Sequence, residues 1–299
     1  MRNASAHPHI PVLYNETLAM LSPKPGEVFC DATAGAGGHA KGICGRLGAS
    51  GRLILIDADA DALSLTRERL AACPAETFFF EGNFKDIAHV AREAGVKSFD
   101  GILFDLGISS MHLERSGRGF SFLKDEPLRM TLGKEADVDA RDVVNTWSEE
   151  SLRSIISAFG QERFAARIAR AIAEAREKAP IATSRELAEI VARAVPRKRG
   201  RIHPATKTFQ AIRIAVNEEL LALEHALPEA FALLGPAGRM VVISFHSLED
   251  GIVKRFFREK EKEGTGFLLS KKPVVPAEKE IAENPRARSA KLRGIAKKS

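Results

Sequence analysis

Nine consecutive residues, Asp31-Ala-Thr-Ala-Gly35-Ala-Gly37-Gly38-His39, define the chemistry within reach of this chain. Seven glycines fall between Gly35 and Gly51. Glycine is needed where a backbone turns tightly and lets a ligand approach the N-terminus of a helix. Gly35-x-Gly37-x-x-Ala40 also has the dinucleotide-fingerprint spacing, a weak signal by itself. A tight turn with no ligand is the plain alternative. Two acids bear on that choice. Asp57 closes the apolar run Arg52–Asp57, about 20 residues beyond the turn, and Asp105 closes Phe99–Leu106 and opens Asp105-Leu-Gly-Ile-Ser-Ser110. In open α/β sheets a ligand lies over the carboxyl ends of the strands, where an acid accepts hydrogen bonds from ribose hydroxyls. Two nucleoside cofactors fit. NAD offers a pyrophosphate to the helix N-terminus. S-adenosylmethionine offers a sulfonium cation and an amino-acid tail. An acid ending the fourth strand suits the cation and favours S-adenosylmethionine over an NAD-dependent oxidoreductase.

These residues need a sheet to position them. Short apolar runs at Glu27–Ala32, Arg52–Asp57, Thr77–Phe80 and Phe99–Leu106 alternate with helix-like stretches such as Asp61–Ala72, the pattern of a parallel α/β sheet. After about Ser116 the pattern becomes helical. Ser148 is an expected N-cap, with Leu152, Ile155, Ile156 and Phe159 on one face. Thr183-Ser-Arg-Glu186 is an expected capping box, followed by Leu187, Ile190, Val191 and Ala194. The strand signal returns at Arg239–Phe245. The expected organisation is a sheet domain over 1–115, a helical insertion over 116–205 and a second sheet portion over 206–299. From Glu259 onward, charge, Gly and Pro predict at most partial order.

The chain of 299 residues carries 45 Lys and Arg against 39 Asp and Glu, a net charge of +6. Two acid-free blocks hold the excess, seven cations from Arg193 to Arg213 and six from Arg286 to Ser299, leaving −7 elsewhere. Such blocks suit a polyanion. A helix starting near Thr206 is expected to carry Phe209, Ile212, Val216 and Leu220 on an apolar face and Gln210, Arg213 and Asn217 on another. Lys198, Arg199, Arg201, His203, Lys207 and Arg213 are the expected phosphate contacts, and Arg163, Arg167 and Arg170 on an earlier helix either extend the patch or serve as a solvated helix surface. The longest apolar run, Ala230 to Leu234, is five residues, far short of the roughly 20 that span a membrane. The first ten residues lack the apolar core of a signal peptide. Cys30, Cys44 and Cys73 form no C-x-x-C pair, so free thiols in a reducing, cytoplasmic setting are expected. No His/Cys/carboxylate spacing calls for a metal.

Several long segments together resemble the bacterial 16S ribosomal RNA (cytosine-N4)-methyltransferase family, RsmH or MraW. They are His9-Ile-Pro-Val-Leu13 with Glu16, Asp31–His39, Phe104–Ser110, Arg118-Gly-Phe-Ser-Phe122, His203–Ile214, Ile243-Ser-Phe-His-Ser-Leu-Glu-Asp250 and Asn284–Arg293. The resemblance implies a class I S-adenosylmethionine-dependent, Rossmann-like methyltransferase sheet with an inserted all-helical substrate domain. It implies methylation of a cytosine amino group in the decoding region of 16S rRNA, on the small ribosomal subunit, with a homodimer permitted. By motif, the cofactor contacts would be Gly37, Gly38, His39, Asp57, Phe84, Asp105 and His112, the last often Gln in the family. Departures exist: Pro127-Leu-Arg-Met-Thr-Leu132 replaces the family's Pro-Leu-Asp-Met-Arg-Met, and Gly251 replaces an Arg. They keep an inactive assembly factor on the same fold as an alternative.

Methyl transfer to a cytosine amine needs positioning and an acceptor for the amine hydrogens, because the nitrogen lone pair is conjugated into the ring. Asp105, Ser109 and His246 are the catalytic candidates. Asp105 could accept from the amine or hold the cofactor. His246 is either a general base or a structural histidine. Phe120 and Phe245 could stack on the base or serve the core.

Overall fold

The computed structural model describes residues 11–109, 111, 113, 117–133, 138–196 and 203–299. The chain opens with α1 (Tyr14–Leu21), β1 (Val28–Asp31), α2 (Gly38–Leu47), β2 (Arg52–Asp57), α3 (Ala60–Arg69), β3 (Glu76–Glu81), α4 (Ile87–Glu93) and β4 (Phe99–Asp105). Among the described residues there follow α5 (Ala140–Thr146), α6 (Glu149–Ala158), α7 (Ala165–Arg176), α8 (Ser184–Ala194) and α9 (Thr206–Val216). The chain closes with α10 (Glu219–Ala232), β5 (Leu234–Ser244), α11 (Ser247–Lys262), β6 (Gly266–Leu268), α12 (Glu278–Glu283) and β7 (Lys291–Lys297). Two compact units result, residues 1–107 with 221–299, and residues 108–220. Among the described residues no helix is long and apolar enough to cross a membrane.

The first unit holds one seven-stranded sheet, ordered β3-β2-β1-β4-β5-β7-β6. β1 to β5 pair in parallel, and β7 runs antiparallel to both β5 and β6. The central strands are apolar because helices cover both faces. Leu53, Ile54, Leu55 and Ile56 of β2 and Ile102, Leu103 and Phe104 of β4 are all fully buried. At about 25 cal/mol per Å² of apolar surface, such side chains each contribute roughly 2 kcal/mol.

The C-terminal segment, expected to be at most partly ordered, is instead a structural part of this sheet. β7 reads Lys291-Leu-Arg-Gly-Ile-Ala-Lys297, with Leu292 and Ile295 fully buried. Its charges diluted the apolar signal, and partners elsewhere absorb them. Lys291 Nζ and Arg293 Nε donate to Asp250 at 2.9 and 2.7 Å, and Lys297 Nζ donates to the carbonyls of Ala232 and Leu234. The second basic block is therefore partly an internal brace. Cys44 and Cys73, expected as free thiols, are joined as a disulfide with Cα atoms 5.9 Å apart. α2 and the turn after α3 bring them together across 29 residues of sequence, a proximity that spacing alone does not reveal. Cys30 is free and buried.

The second unit is helical. Ser148 caps α6 by accepting the Ser151 N–H at 3.0 Å, and Thr183 with Glu186 forms a reciprocal capping box on α8. Leu152, Ile156, Ile168, Ile172, Leu187, Val191 and Ile212 pack in one core. α9 belongs to this unit because Phe209, Ala211 and Ile212 bury into that core, whereas the sequence reading grouped it with the returning sheet portion.

Candidate functional site

The strand order places β1 between β2 and β4, so Asp31, Asp57 and Asp105 end three adjacent strands. The glycine turn rises from this edge. Gly35 and Gly37 have φ of 52° and 75°, a left-handed region that glycine enters without a steric penalty. A Cβ on Gly37 would also lie 3.0 Å from the Thr66 side chain on α3. Asp57 fastens the turn: its two oxygens accept the N–H groups of Gly35 at 2.7 Å and Asp59 at 2.9 Å. Thr66 Oγ1 donates to the Gly35 carbonyl at 2.7 Å. Gly38 begins α2, where a Cβ would run into the Pro11 ring.

His39 is buried in the first turn of α2. Its ring stacks on Tyr14 at 5.9 Å, and its Nε2 lies 3.6 Å from Asp105 Oδ2. The Thr33 hydroxyl accepts the Asp105 N–H at 2.6 Å, and the Thr33 N–H donates to Asp31 Oδ1 at 3.2 Å. Burial and the neighbouring charge of Asp57 push Asp31 up to about 7, against the opposing Thr33 hydrogen bond. Burial, then the negative charges of Asp31 and Glu249, push Asp105 up to about 8. Among the described residues, Asp105 Oδ1 is buried with no hydrogen-bond partner. An edge crowded with carboxylates and holding an orphaned acceptor oxygen fits a ligand that brings positive charge and N–H donors. Phe84 follows β3 in a short turn capped by the Asn83 side chain, which accepts the Lys85 N–H, and meets Phe104 edge-on at 5.7 Å. This half-buried ring could line an adenine.

Beyond β5, His246 caps α11. Its Nδ1 accepts the Glu249 N–H at 3.4 Å, and its Nε2 lies 3.1 Å from Glu249 Oε1. Glu249, 2% exposed, also accepts the N–H groups of Phe245 and His246. Nδ1 therefore serves this cap, while Nε2 is buried without a hydrogen-bond partner among the described residues. Phe245 packs partly buried against the sheet core, and Phe120 is buried in the helical core.

In the helical unit, Ser109 is half-buried just past the β4 end of the chain. His112, Lys198, Arg199 and Arg201 lie outside the described residues. Lys207 is exposed, and its Nζ donates to the Gln161 carbonyl at 2.7 Å. His203 is exposed and stacked on Phe122. Arg213, expected to face phosphate, is turned inward: it makes a bidentate pair with Glu219 at 2.7 and 2.8 Å and its side chain is 13% exposed. The rest of that polar face is internal too. Gln210 donates to the Phe159 carbonyl, and Asn217 donates to the carbonyls of Met130 and Arg213 while accepting the Leu132 N–H. Arg163 lies over Phe164 at 4.4 Å, and Arg170 is 3.8 Å from Glu149. Arg129 points to solvent, and the Thr131 carbonyl accepts from Arg118.

Asp31, Thr33 and Glu249 stood in the sequence only as members of longer motifs, with no role of their own, and sequence reasoning missed Thr66. The strand-end rule that singled out Asp57 and Asp105 applies equally to Asp31. Nothing in spacing alone marks Glu249, since its neighbours are set by the α11 cap.

A mainly parallel seven-stranded sheet with one reversed strand next to β5, a glycine turn after β1 and acids ending the strands around it define a class I S-adenosylmethionine-dependent methyltransferase. The chain belongs to the MraW methylase family, whose profile matches residues 6–298. A Bradyrhizobium diazoefficiens protein named ribosomal RNA small subunit methyltransferase H is 46% identical over 309 residues, covering 99% of this chain and 93% of its own. A Deinococcus radiodurans protein of the same name is 48% identical over 287 residues, covering 95% and 88%.

Proposed function

We propose that this protein methylates the N4 amine of a cytosine in the decoding region of small-subunit rRNA, using S-adenosylmethionine. The observation that carries the reading is near-full-length identity of 46–48% to relatives named for methylation of that rRNA. Family membership removes the NAD-dependent oxidoreductase.

The bound cofactor supplies an electrophilic methyl group on a positively charged sulfur. Gly37 and Gly38 let the backbone approach it, Asp57 binds hydroxyls, Phe84 lies against the adenine, and His39 orients Asp105. The His112 contact implied by the family is retained as part of this proposal. The orphaned Oδ1 of Asp105 accepts an amine hydrogen, which favours a pyramidal nitrogen with an available lone pair. The ligand-free carboxyl, pushed up to about 8, holds a proton near neutral pH, and a bound cation would displace that proton and leave a carboxylate able to take the departing one. Ser109 is a second candidate to touch the base, and His246 positions the wall of the site through its cap. Lys198, Arg199, Arg201 and Lys207 meet phosphate. The substrate assigns the enzyme to the bacterial cytoplasm. Arg129 is exposed and residue 131 contributes a backbone carbonyl to the Arg118 bond; the inactive assembly factor on the same fold is the alternative that a transfer assay decides. Transfer of labelled methyl to small ribosomal subunits, with mapping of the modified nucleotide, tests the reading. Label on one cytosine amine is expected; cofactor binding without transfer would overturn it.

A further inference from the structure

Phe209, Phe122 and His203 form a three-ring array in the helical unit. Phe209 sits on α9 at 5% exposure and anchors the array in the core. Phe122 meets it edge-on, with centroids 5.3 Å apart and planes at 84°. His203 lies flat on Phe122, at 4.4 Å and 21°. His203 Nδ1 also accepts the Ala205 N–H at 3.2 Å, so a hydrogen bond and a ring contact together fix the imidazole plane. The His203 side chain is exposed. Leu123, next to Phe122 in the chain, is 80% exposed.

An aromatic plane held rigidly at the surface is what an unpaired nucleobase stacks on, and stacking tolerates any base because each has a π-face. Two cations belong to the same unit. Lys207 lies four residues beyond His203, in the first turn of α9, and its ammonium reaches the Gln161 carbonyl. Arg163 follows Gln161 by two residues and is held by the Phe164 ring. A strand with one base on the imidazole would have its neighbouring phosphates near these two charges.

We infer that His203 is a stacking platform for one unpaired RNA base, with Lys207 and Arg163 taking the adjacent phosphates. The inference rests on the RNA substrate proposed above and replaces the expectation that His203 itself meets phosphate. A pinned imidazole contributes here through its face, so the function should survive replacement by another flat ring.

The test uses the full chain and a short pyrimidine-rich single-stranded RNA carrying one 2-aminopurine, whose fluorescence falls on stacking. His203→Ala should weaken binding roughly tenfold and abolish the quenching, while His203→Phe should keep both within about twofold. Neither variant should change the slope of log affinity against log salt. Equal losses in the two variants, wild-type affinity in His203→Ala, or a reduced salt slope in His203→Ala would each overturn the stacking role. Wild-type protein that binds neither this RNA nor intact small subunits would overturn the RNA reading and the platform with it.

Discussion

Asp250 and Arg293 are 43 residues apart in the chain and 2.7 Å apart in the fold. The pair links the segment after β5 to β7, and Lys291 adds a second bond to the same carboxylate. Burial alone would raise Asp250, but the hydrogen bonds and charges of Arg293 and Lys291 outweigh it and hold the carboxyl below its ordinary value. A lowered carboxyl contributes stability above its unfolded pKa and loses it as pH falls through the folded one. Arg293→Met should therefore cost on the order of 2–4 kcal/mol at pH 7, and the deficit should shrink in acid. Denaturant unfolding at pH 7 and pH 3 checks both parts.

Asp105 has the opposite sign. A raised carboxyl binds its proton more tightly in the fold than in the unfolded chain, so stability falls as pH rises from about 4 to about 8. Asp31, raised to about 7, acts in the same direction over a lower window. The ligand-free protein should melt at a lower temperature at pH 8.5 than at pH 6.5. Asp105→Asn should remove the part of that slope lying above pH 7. The side chain keeps 28% of its surface exposed, so water mutes the gain to about 1 kcal/mol, or about 2–4 °C. Thermal melts across pH measure it.

Gly37→Ala should destabilise the turn by roughly 1–2 kcal/mol and weaken cofactor binding, since the new Cβ meets both a left-handed φ and Thr66. Gly45, in α2, has open space at its Cβ position, and Gly45→Ala should be neutral or stabilising by about 0.5–1 kcal/mol. Melting curves with cofactor titration of both variants separate turn geometry from helix propensity.

Lys207→Ala and Arg213→Ala should fail in different ways. Loss of Lys207 should lower RNA affinity and reduce the salt slope by about one. Loss of Arg213 strands a mostly buried Glu219 and should lower stability by roughly 3 kcal/mol with the salt slope unchanged. Filter binding over a salt series and denaturant melts distinguish them.

The sheet core and the acid-lined strand edge were legible because both depend on local pattern. Apolar runs ended by an acid at Asp57 and Asp105 mark strand ends, and Ser148 and Thr183 mark helix starts through their own side chains. What the sequence hid depends on partners far along the chain. Arg213 and Asn217 have the types and spacing of an RNA-facing stripe, and only Glu219, Met130 and Leu132 reveal them as internal braces. β7 looked like a basic tail because Asp250, which neutralises it, lies far upstream. Cys44 and Cys73 meet only once α2 and α3 have docked on β2.

The central claim is that Asp105 recognises a positive charge brought by the cofactor. S-adenosylmethionine and its demethylated thioether differ by that charge and one methyl group, so calorimetric titration of both into wild-type protein and Asp105→Asn isolates the interaction. Asp105→Asn should lose more affinity for the sulfonium than for the thioether, and wild-type binding of the sulfonium should release up to one proton at pH 7. Equal losses for the two ligands, with no proton released, would contradict the account.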